Sequence, residues 1–265
     1  MNRAIVLTNG LLLKNDAKTA HGLIRGTERF EIIGVVDCPE NEGKDAGEFL
    51  DGKNRNIPIF GSLASAISNL ENIESLVIGV ATIGGVLPPK MVEIIKEAIK
   101  NKISIVNGLH EYLNDKPEMV ALAQEYGVSL TDVRKPKSRE NLSFWSGEIY
   151  KVTAPIIAVM GMDCAMGKRT TARLLTQMCR ANDLKAEMIY TGQTGWLQGG
   201  KYGFIFDSTL NDFVSGELEN AIVTAWKETN SDFLFLEGQS SLRNPSGPCG
   251  FEYLISGNAK YVVLL

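Results

Sequence analysis

Hydrophobic and polar residues follow one another along this chain in a pattern typical of parallel α/β proteins. Short runs rich in valine and isoleucine, each closed by glycine, asparagine or aspartate, are separated by amphipathic stretches. In the first half these runs predict strands at residues 3–10, 30–37, 75–81, 103–108 and 128–133. The clearest helix is predicted at residues 88–101, after a pair of prolines. Its apolar face has helical spacing and consists of Met91, Ile94, Ile95, Ala98 and Ile99.

A polar stretch containing proline separates two regions of this α/β pattern. We therefore predict a Rossmann-like open parallel sheet in residues 1–134, a linker over 135–151, and a second α/β domain in 152–265. The first region lacks the GxGxxG pattern, so dinucleotide binding is not supported. The last apolar run, residues 259–265, ends with the sequence, and we expect the second domain to be incomplete at its C-terminal end.

Composition and charge narrow the functional classes. The 265 residues are 44% hydrophobic and 22% charged, as in soluble globular proteins. The net charge of −4 gives no reason to expect binding to nucleic acid, which requires a basic surface. The four cysteines form no CxxC pair, which favours a reducing compartment without disulfides or a zinc site. We expect no secretory signal, because the N-terminal apolar stretch is broken by Thr-Asn-Gly and has no small-residue cleavage site, and no apolar run reaches the roughly 18 residues of a membrane span. We expect a cytoplasmic protein without a membrane partner.

The stretch GMDCAMGKRTTA, residues 161–172, lies between a predicted strand and a predicted helix. A glycine-rich turn at a helix N-terminus directs backbone N–H groups at an anion, and a lysine at its end reaches the outer phosphates. The spacing here is G-x5-GK, one residue longer than the usual G-x4-GK. A structural turn that happens to carry a lysine is the alternative. We therefore predict that residues 152–265 form a P-loop NTPase-like α/β domain. The predicted phosphate-binding residues are Gly161, Met162, Asp163, Cys164, Ala165, Met166, Gly167, Lys168, Arg169, Thr170 and Thr171.

Arg169 stands where most such loops have the serine or threonine that binds Mg²⁺. A guanidinium strengthens the grip on phosphate but removes the expected metal ligand, although Thr170 and Thr171 follow. Because phosphoryl transfer depends on that metal, the sequence favours a loop that holds a phosphorylated ligand over one that cleaves it.

Other polar residues are predicted to lie near this loop. Glu237 follows the apolar run 233–236, where P-loop folds place an acid that handles Mg²⁺ or water. Thr191, Gln193 and Thr194 follow another predicted strand. A helix whose apolar face is Val214, Leu218, Ala221, Ile222 and Ala225 leaves Asp207, Asp212 and Glu217 free. Asp207 and Asp212 are candidate substrate contacts, and a solvated helix face is the alternative.

Two resemblances follow from these motifs. The G-x5-GK loop and LEGQSSL, residues 236–242, resemble dethiobiotin synthetase. The longer set resembles a two-domain P-loop family long known only as a domain of unknown function, some of whose members are D-glutamate N-acetyltransferases. That set is NGLHEYL, GVSLTDVRKP, the segment 144–172, YTGQTGWL, DFVSGELE and LEGQSSLRNP. The family loop commonly has threonine where Met162 stands, and family members continue past the final strand.

The family resemblance implies transfer of an acetyl group from acetyl-CoA to the amine of D-glutamate, with the loop holding the phosphates of CoA. Such chemistry needs a base and oxyanion donors. We expect Glu237 as the base with His110 second, and Gln193, Thr194 and Ser240 as donors. Arg243 and Arg134 would bind the substrate carboxylates, and Thr191 would also contact substrate.

Two alternatives remain open. One is a Mg²⁺- and ATP-dependent ligase or kinase resembling dethiobiotin synthetase, in which Glu237 and Thr170 would hold the metal. The other is a non-catalytic nucleotide-binding protein. We expect small-molecule ligands and no nucleic acid, and, because similar α/β enzymes often pair, a homo-oligomer.

Overall fold

The computed structural model describes residues 1–245, 247 and 249–265. The chain divides into two compact units, one of residues 1–135 with 197–199 and the other of residues 136–196 with 200–265. Within the described ranges, no helix is long and apolar enough to cross a membrane.

The first unit is built on a parallel sheet of six strands in the order β3-β2-β1-β4-β5-β6. Its strands are β1 Asn2–Leu7, β2 Phe30–Val36, β3 Ile59–Phe60, β4 Ser75–Ile78, β5 Ser104–Asn107 and β6 Leu130–Asp132. Its helices are α1 Lys18–Arg25, α2 Ala46–Asp51, α3 Leu63–Asn69, α4 Pro89–Lys100 and α5 Pro117–Tyr126. The five predicted strands and the predicted helix are confirmed. The two-residue β3 was missed because it is too short to give a pattern.

The second unit is built on a parallel sheet of five strands in the order β11-β7-β10-β8-β9. Its strands are β7 Ile156–Met160, β8 Ala186–Tyr190, β9 Tyr202–Gly203, β10 Phe233–Glu237 and β11 Tyr261–Leu264. The helices of this half of the chain are α6 Lys168–Ala181, α7 Gln193–Leu197, α8 Asn211–Thr229 and α9 Phe251–Ile255. The predicted α/β class is confirmed in both units, with a Rossmann-like sheet in the first and a P-loop domain in the second.

The core of the second unit follows from the alternation of side chains along β10. Leu234 and Leu236 are fully buried in one apolar cluster with Leu218 and Ile222 of α8. Phe235 points to the opposite face, into a cluster that includes Ala172 of α6. Because side chains pack on both faces of the central strands β7 and β10, these two strands are almost continuously apolar. The one polar residue in them, Glu237, stands at the carboxyl end of β10.

Residues 137–149 belong to the second unit and lie along α8. The side chains of Glu217 and Glu219 accept hydrogen bonds from the backbone amides of Ser143, Ser146 and Ile149. Glu217 also pairs with the Lys137 ammonium at 2.6 Å and is only 2% exposed. The prediction that Glu217 is free is therefore wrong, since this segment of chain covers the polar side of the helix.

Candidate functional site

The phosphate loop, residues 161–167, connects the end of β7 to the start of α6. Gly167 precedes the helix with φ of +99°, a conformation that favours glycine because it lacks a Cβ atom. Ala165 also has positive φ, at +60°. The first turn of α6 contains no acidic side chain, so the positive end of the helix dipole is not neutralised within that turn.

Lys168 is held against the loop rather than extended into solvent. Its side chain is 7% exposed, and its ammonium donates to the carbonyl oxygens of Asp163 at 2.9 Å and Ser240 at 2.6 Å. Its methylene groups pass between Gly161 and Gly238, where an added Cβ atom would lie within 3.2 Å and 3.1 Å of them. Burial lowers the pKa of the ammonium, an effect that nearby Asp163 opposes.

The loop amides divide into two groups. The amide of Met162 donates to the Leu265 carbonyl at 2.9 Å, and the amide of Cys164 donates to the Asp163 carboxylate at 2.7 Å. Within the described part of the chain, the amides of residues 165–167 donate to no protein acceptor. These residues are exposed or half-buried, so an anion in solvent can reach this part of the loop. These three amides, together with α6 and Lys168, therefore form the part of the loop suited to an anion.

Glu237 ends β10, the strand that pairs directly with β7, and lies in register with Val159. Its carboxylate accepts the amide of Thr191 at 3.0 Å. The Thr191 hydroxyl donates to the backbone carbonyl of Glu237 at 2.5 Å. Burial raises the pKa of Glu237, although the positive charges of Arg169 and Lys168 and the hydrogen bonds from backbone amides oppose this shift. The position of this acid, on the strand beside the phosphate loop, is the one the sequence predicted.

A network around Tyr253 extends from the strand end that carries Glu237. The Tyr253 hydroxyl accepts the amide of Gln239 at 3.0 Å, and the Gln239 side chain donates to the carbonyl of Thr191 at 2.8 Å. Tyr253 is 1% exposed, and burial raises its phenol pKa well above the ordinary value. No sequence pattern pointed to this tyrosine, because it lies on the short helix α9, outside the motifs around the phosphate loop.

The other predicted site residues have different surroundings. Thr191 and Thr194 are buried, and Gln193 at the start of α7 is half-buried, as is Ser240. Arg243, Thr170, Asp207 and Asp212 are exposed. His110 belongs to the first unit, whereas the phosphate loop and Glu237 belong to the second. The residues brought together at the carboxyl ends of β7, β10 and β8 are thus Lys168, Glu237, Thr191 and Ser240.

The residues predicted to hold Mg²⁺ are too few for a dedicated metal cage. Glu237 already accepts a backbone amide, and Thr170 is exposed on the first turn of α6. No group of three or more His, Cys, Asp or Glu side chains that could hold a metal occurs in the described ranges. One carboxylate and one hydroxyl suit a Mg²⁺ ion only when phosphate oxygens complete its coordination.

Comparison with known families agrees with this architecture. The P-loop domain model of DUF1611, a domain of unknown function, matches residues 143–265, and the Rossmann-like domain model of DUF1611 matches residues 39–136. The chain belongs to the DUF1611 family. A DUF1611 family protein from Anabaena variabilis has a crystal structure that superposes with a TM-score of 0.89 at 30% identity, over 100% of this chain and 74% of that one.

Two curated relatives of this DUF1611 protein carry the name D-glutamate N-acetyltransferase. The protein from a Pseudoalteromonas species is 36% identical over 173 residues, which is 65% of this chain and 50% of the relative. The protein from Tritonibacter scottomollicae is 30% identical over 169 residues, which is 64% of this chain and 48% of the relative. The chain thus spans about half the length of the curated relatives it matches.

Proposed function

We propose that this protein is an acetyl-CoA-dependent N-acetyltransferase that acts on the amine of an acidic amino acid, D-glutamate. The proposal rests on one observation: the Lys168 ammonium is held against a loop that leads into the N-terminus of α6, and the amides of residues 165–167 in this loop donate to no acceptor among the described residues. Phosphates are the anions best suited to such a loop. Relatives named D-glutamate N-acetyltransferase supply the substrate class.

The loop would hold the phosphates of CoA without breaking a P–O bond. CoA carries a diphosphate and a ribose phosphate, so a pocket of amides beside Lys168 and Arg169 matches its charge. Arg169 replaces the hydroxyl that usually binds Mg²⁺, which suits ligand retention better than phosphoryl transfer.

In the proposed reaction the substrate amine attacks the thioester carbonyl of acetyl-CoA. The new C–N bond forms, the C–S bond breaks, and the thiolate of CoA leaves. Glu237 would take the proton that the amine loses and pass it to the departing sulfur. Burial raises the pKa of Glu237 toward the pH at which the enzyme works, and a general base is most efficient when these two values are close. Gln193 and Thr194 would donate to the oxyanion, while Asp207, Asp212 and Arg243 would contact substrate. Thr191 and Ser240 are not kept in these roles, because Thr191 is fully buried with its hydroxyl donating to the Glu237 carbonyl, and the Ser240 hydroxyl donates to the Gly247 carbonyl.

Phosphoryl transfer from MgATP is the second candidate function. The observation that favours it is the position of Glu237 on β10, directly beside the phosphate loop. In that case Glu237 and Thr170 would be the residues available to the metal. Two features weigh against it, because both lessen the capacity of the site to bind a cation: the Thr191 amide donates a hydrogen bond to the Glu237 carboxylate, and Arg169 adds a positive charge.

Incubation of the purified protein with acetyl-CoA and D-glutamate tests the proposal. We expect stoichiometric release of free CoA thiol and formation of N-acetylglutamate, detected by mass spectrometry, without added nucleotide. Lys168→Ala should reduce kcat/KM by at least about tenfold. Lys185→Ala, the same change at an exposed lysine before β8, should leave the rate unchanged. Phosphate release from MgATP with no thiol release would instead establish the second function.

A further inference from the structure

Residues 240–244 follow β10 and lie along the phosphate loop, where they bind its backbone. The amide of Leu242 donates to the Gly161 carbonyl at 3.0 Å, and the Ser241 hydroxyl donates to the Met162 carbonyl at 2.7 Å. The Lys168 ammonium joins the carbonyls of Asp163 and Ser240. Three successive carbonyls of the loop, those of residues 161–163, therefore each accept a hydrogen bond, the first two from residues 240–244 and the third from Lys168.

Ser241 is the centre of this arrangement. It is 1% exposed, and besides donating to Met162 its hydroxyl accepts the amides of Arg243 at 3.0 Å and Asn244 at 2.7 Å. A serine hydroxyl offers one donor and two acceptor positions, so all three are used. Asn244 in turn donates from its side chain to the Asp163 carboxylate at 3.1 Å. One buried hydroxyl thus organises the segment and attaches it to the loop.

The orientation of these carbonyls affects the part of the loop that faces an anion. A peptide unit is planar, so fixing a carbonyl also fixes the N–H group of the next residue. Holding residues 161–163 sets the direction in which the chain enters residues 165–167, whose amides are available to a ligand. A loop that is already ordered loses less conformational entropy when it binds.

We propose that Ser241 is a positioning residue of the phosphate loop, which it holds in its anion-binding conformation through Met162. The proposal rests on the anion site described under the proposed function, and it is independent of which reaction follows binding. Ser241 does not touch the ligand. Its removal should weaken binding of any ligand that the loop holds through phosphate.

Titration calorimetry with inorganic pyrophosphate and with CoA tests this role on the wild-type protein and two serine variants. Ser241→Ala should raise both dissociation constants by about tenfold. Ser231→Ala is the matched control, because Ser231 is also buried and bonded, to Thr229, but it precedes β10 at the opposite edge of the sheet. Ser231→Ala should leave both dissociation constants within about twofold of the wild-type values. Ser231→Ala and Ser241→Ala should both lower the melting temperature, because each removes a buried hydrogen bond. Ser241→Cys, nearly the same size but a weaker hydrogen-bonding group, should give intermediate affinity.

Wild-type affinity in folded Ser241→Ala or Ser241→Cys would overturn the proposal, as would equal weakening by Ser231→Ala. Failure of the wild-type protein to bind either ligand would overturn it together with the anion site. Normal binding of pyrophosphate without acetyl transfer would refute the proposed reaction and leave the role of Ser241 standing.

Discussion

Gly238 lies where β10, β7 and Lys168 meet, so its replacement by alanine probes how closely the site is packed. An added Cβ atom would lie 2.2 Å from the carbonyl oxygen of Val159 and 3.1 Å from Cδ of Lys168. The first neighbour is backbone in the centre of the sheet, and it already accepts the amide of Gly238 at 3.0 Å. Neither strand can rotate a side chain to make room.

The size of the effect follows from this clash. The two backbones would have to separate by roughly 1 Å in an interior packed as densely as a crystal. Overpacking of this kind costs about 1–3 kcal/mol, and we expect the upper half of that range because the obstructing atom is main chain. The same displacement would move Lys168, so we also expect weaker binding of pyrophosphate.

Tryptophan fluorescence during urea unfolding measures this change within the second unit. The three tryptophans, Trp145, Trp196 and Trp226, all belong to that unit. Gly52→Ala is the control: Gly52 has φ of +76° but no atom within 4 Å of the added Cβ, so it carries backbone strain of about 1 kcal/mol without a clash. It lies in the first unit and should leave the tryptophan transition unchanged. A Gly238→Ala transition coincident with that of the wild type would refute the packing argument.

Two further predictions concern ionisable groups. Because burial raises the pKa of Glu237 above its ordinary value of 4.5, its contribution to stability is present below that pH and is lost as the pH rises through the folded-state pKa. As the pH rises from 4 to 8, the wild type should therefore lose stability that Glu237→Gln keeps. The urea midpoint of the variant should rise relative to that of the wild type, and a difference that is the same at every pH would contradict this. Burial and neighbouring acids raise the pKa of Cys249 to about 12 and that of Cys38 to about 11, whereas Cys164 is exposed. Iodoacetamide at pH 7 should label Cys164 first, which peptide mass spectrometry would detect; faster labelling of Cys249 would refute the reasoning.

The elements that carry local patterns were predictable from the sequence. The strand, loop and helix around residues 155–181 were predicted because an apolar run, two glycines and an amphipathic stretch occur in succession. The acid at the end of β10 was predicted for the same reason. No periodicity determines the order of strands: the position of β10 beside β7 was expected only from the similarity to P-loop folds, and its pairing with β8 was not predicted.

The residues missed by sequence reasoning act through long-range contacts. Ser241 and Met162 are 79 positions apart, and Tyr253 reaches the strand end that carries Glu237 from α9. Glu217 was misjudged because helical periodicity describes one helix against its core, whereas residues 137–149 cover a second side of α8. When another segment of the chain buries one side of a helix, the spacing of apolar residues in that helix does not reveal it.

The two attachments of residues 240–244 to the phosphate loop would respond differently to a ligand. A phosphate oxygen is a charged acceptor and forms a stronger hydrogen bond with an ammonium than a neutral carbonyl does. A bound phosphate would therefore compete for Lys168 with the carbonyls of Asp163 and Ser240. The bonds from Ser241 and Leu242 to the loop involve no charged group and would persist. The loop would then keep its conformation at the moment when the lysine is withdrawn to the ligand, and this is why we assign the positioning role to Ser241 rather than to Lys168.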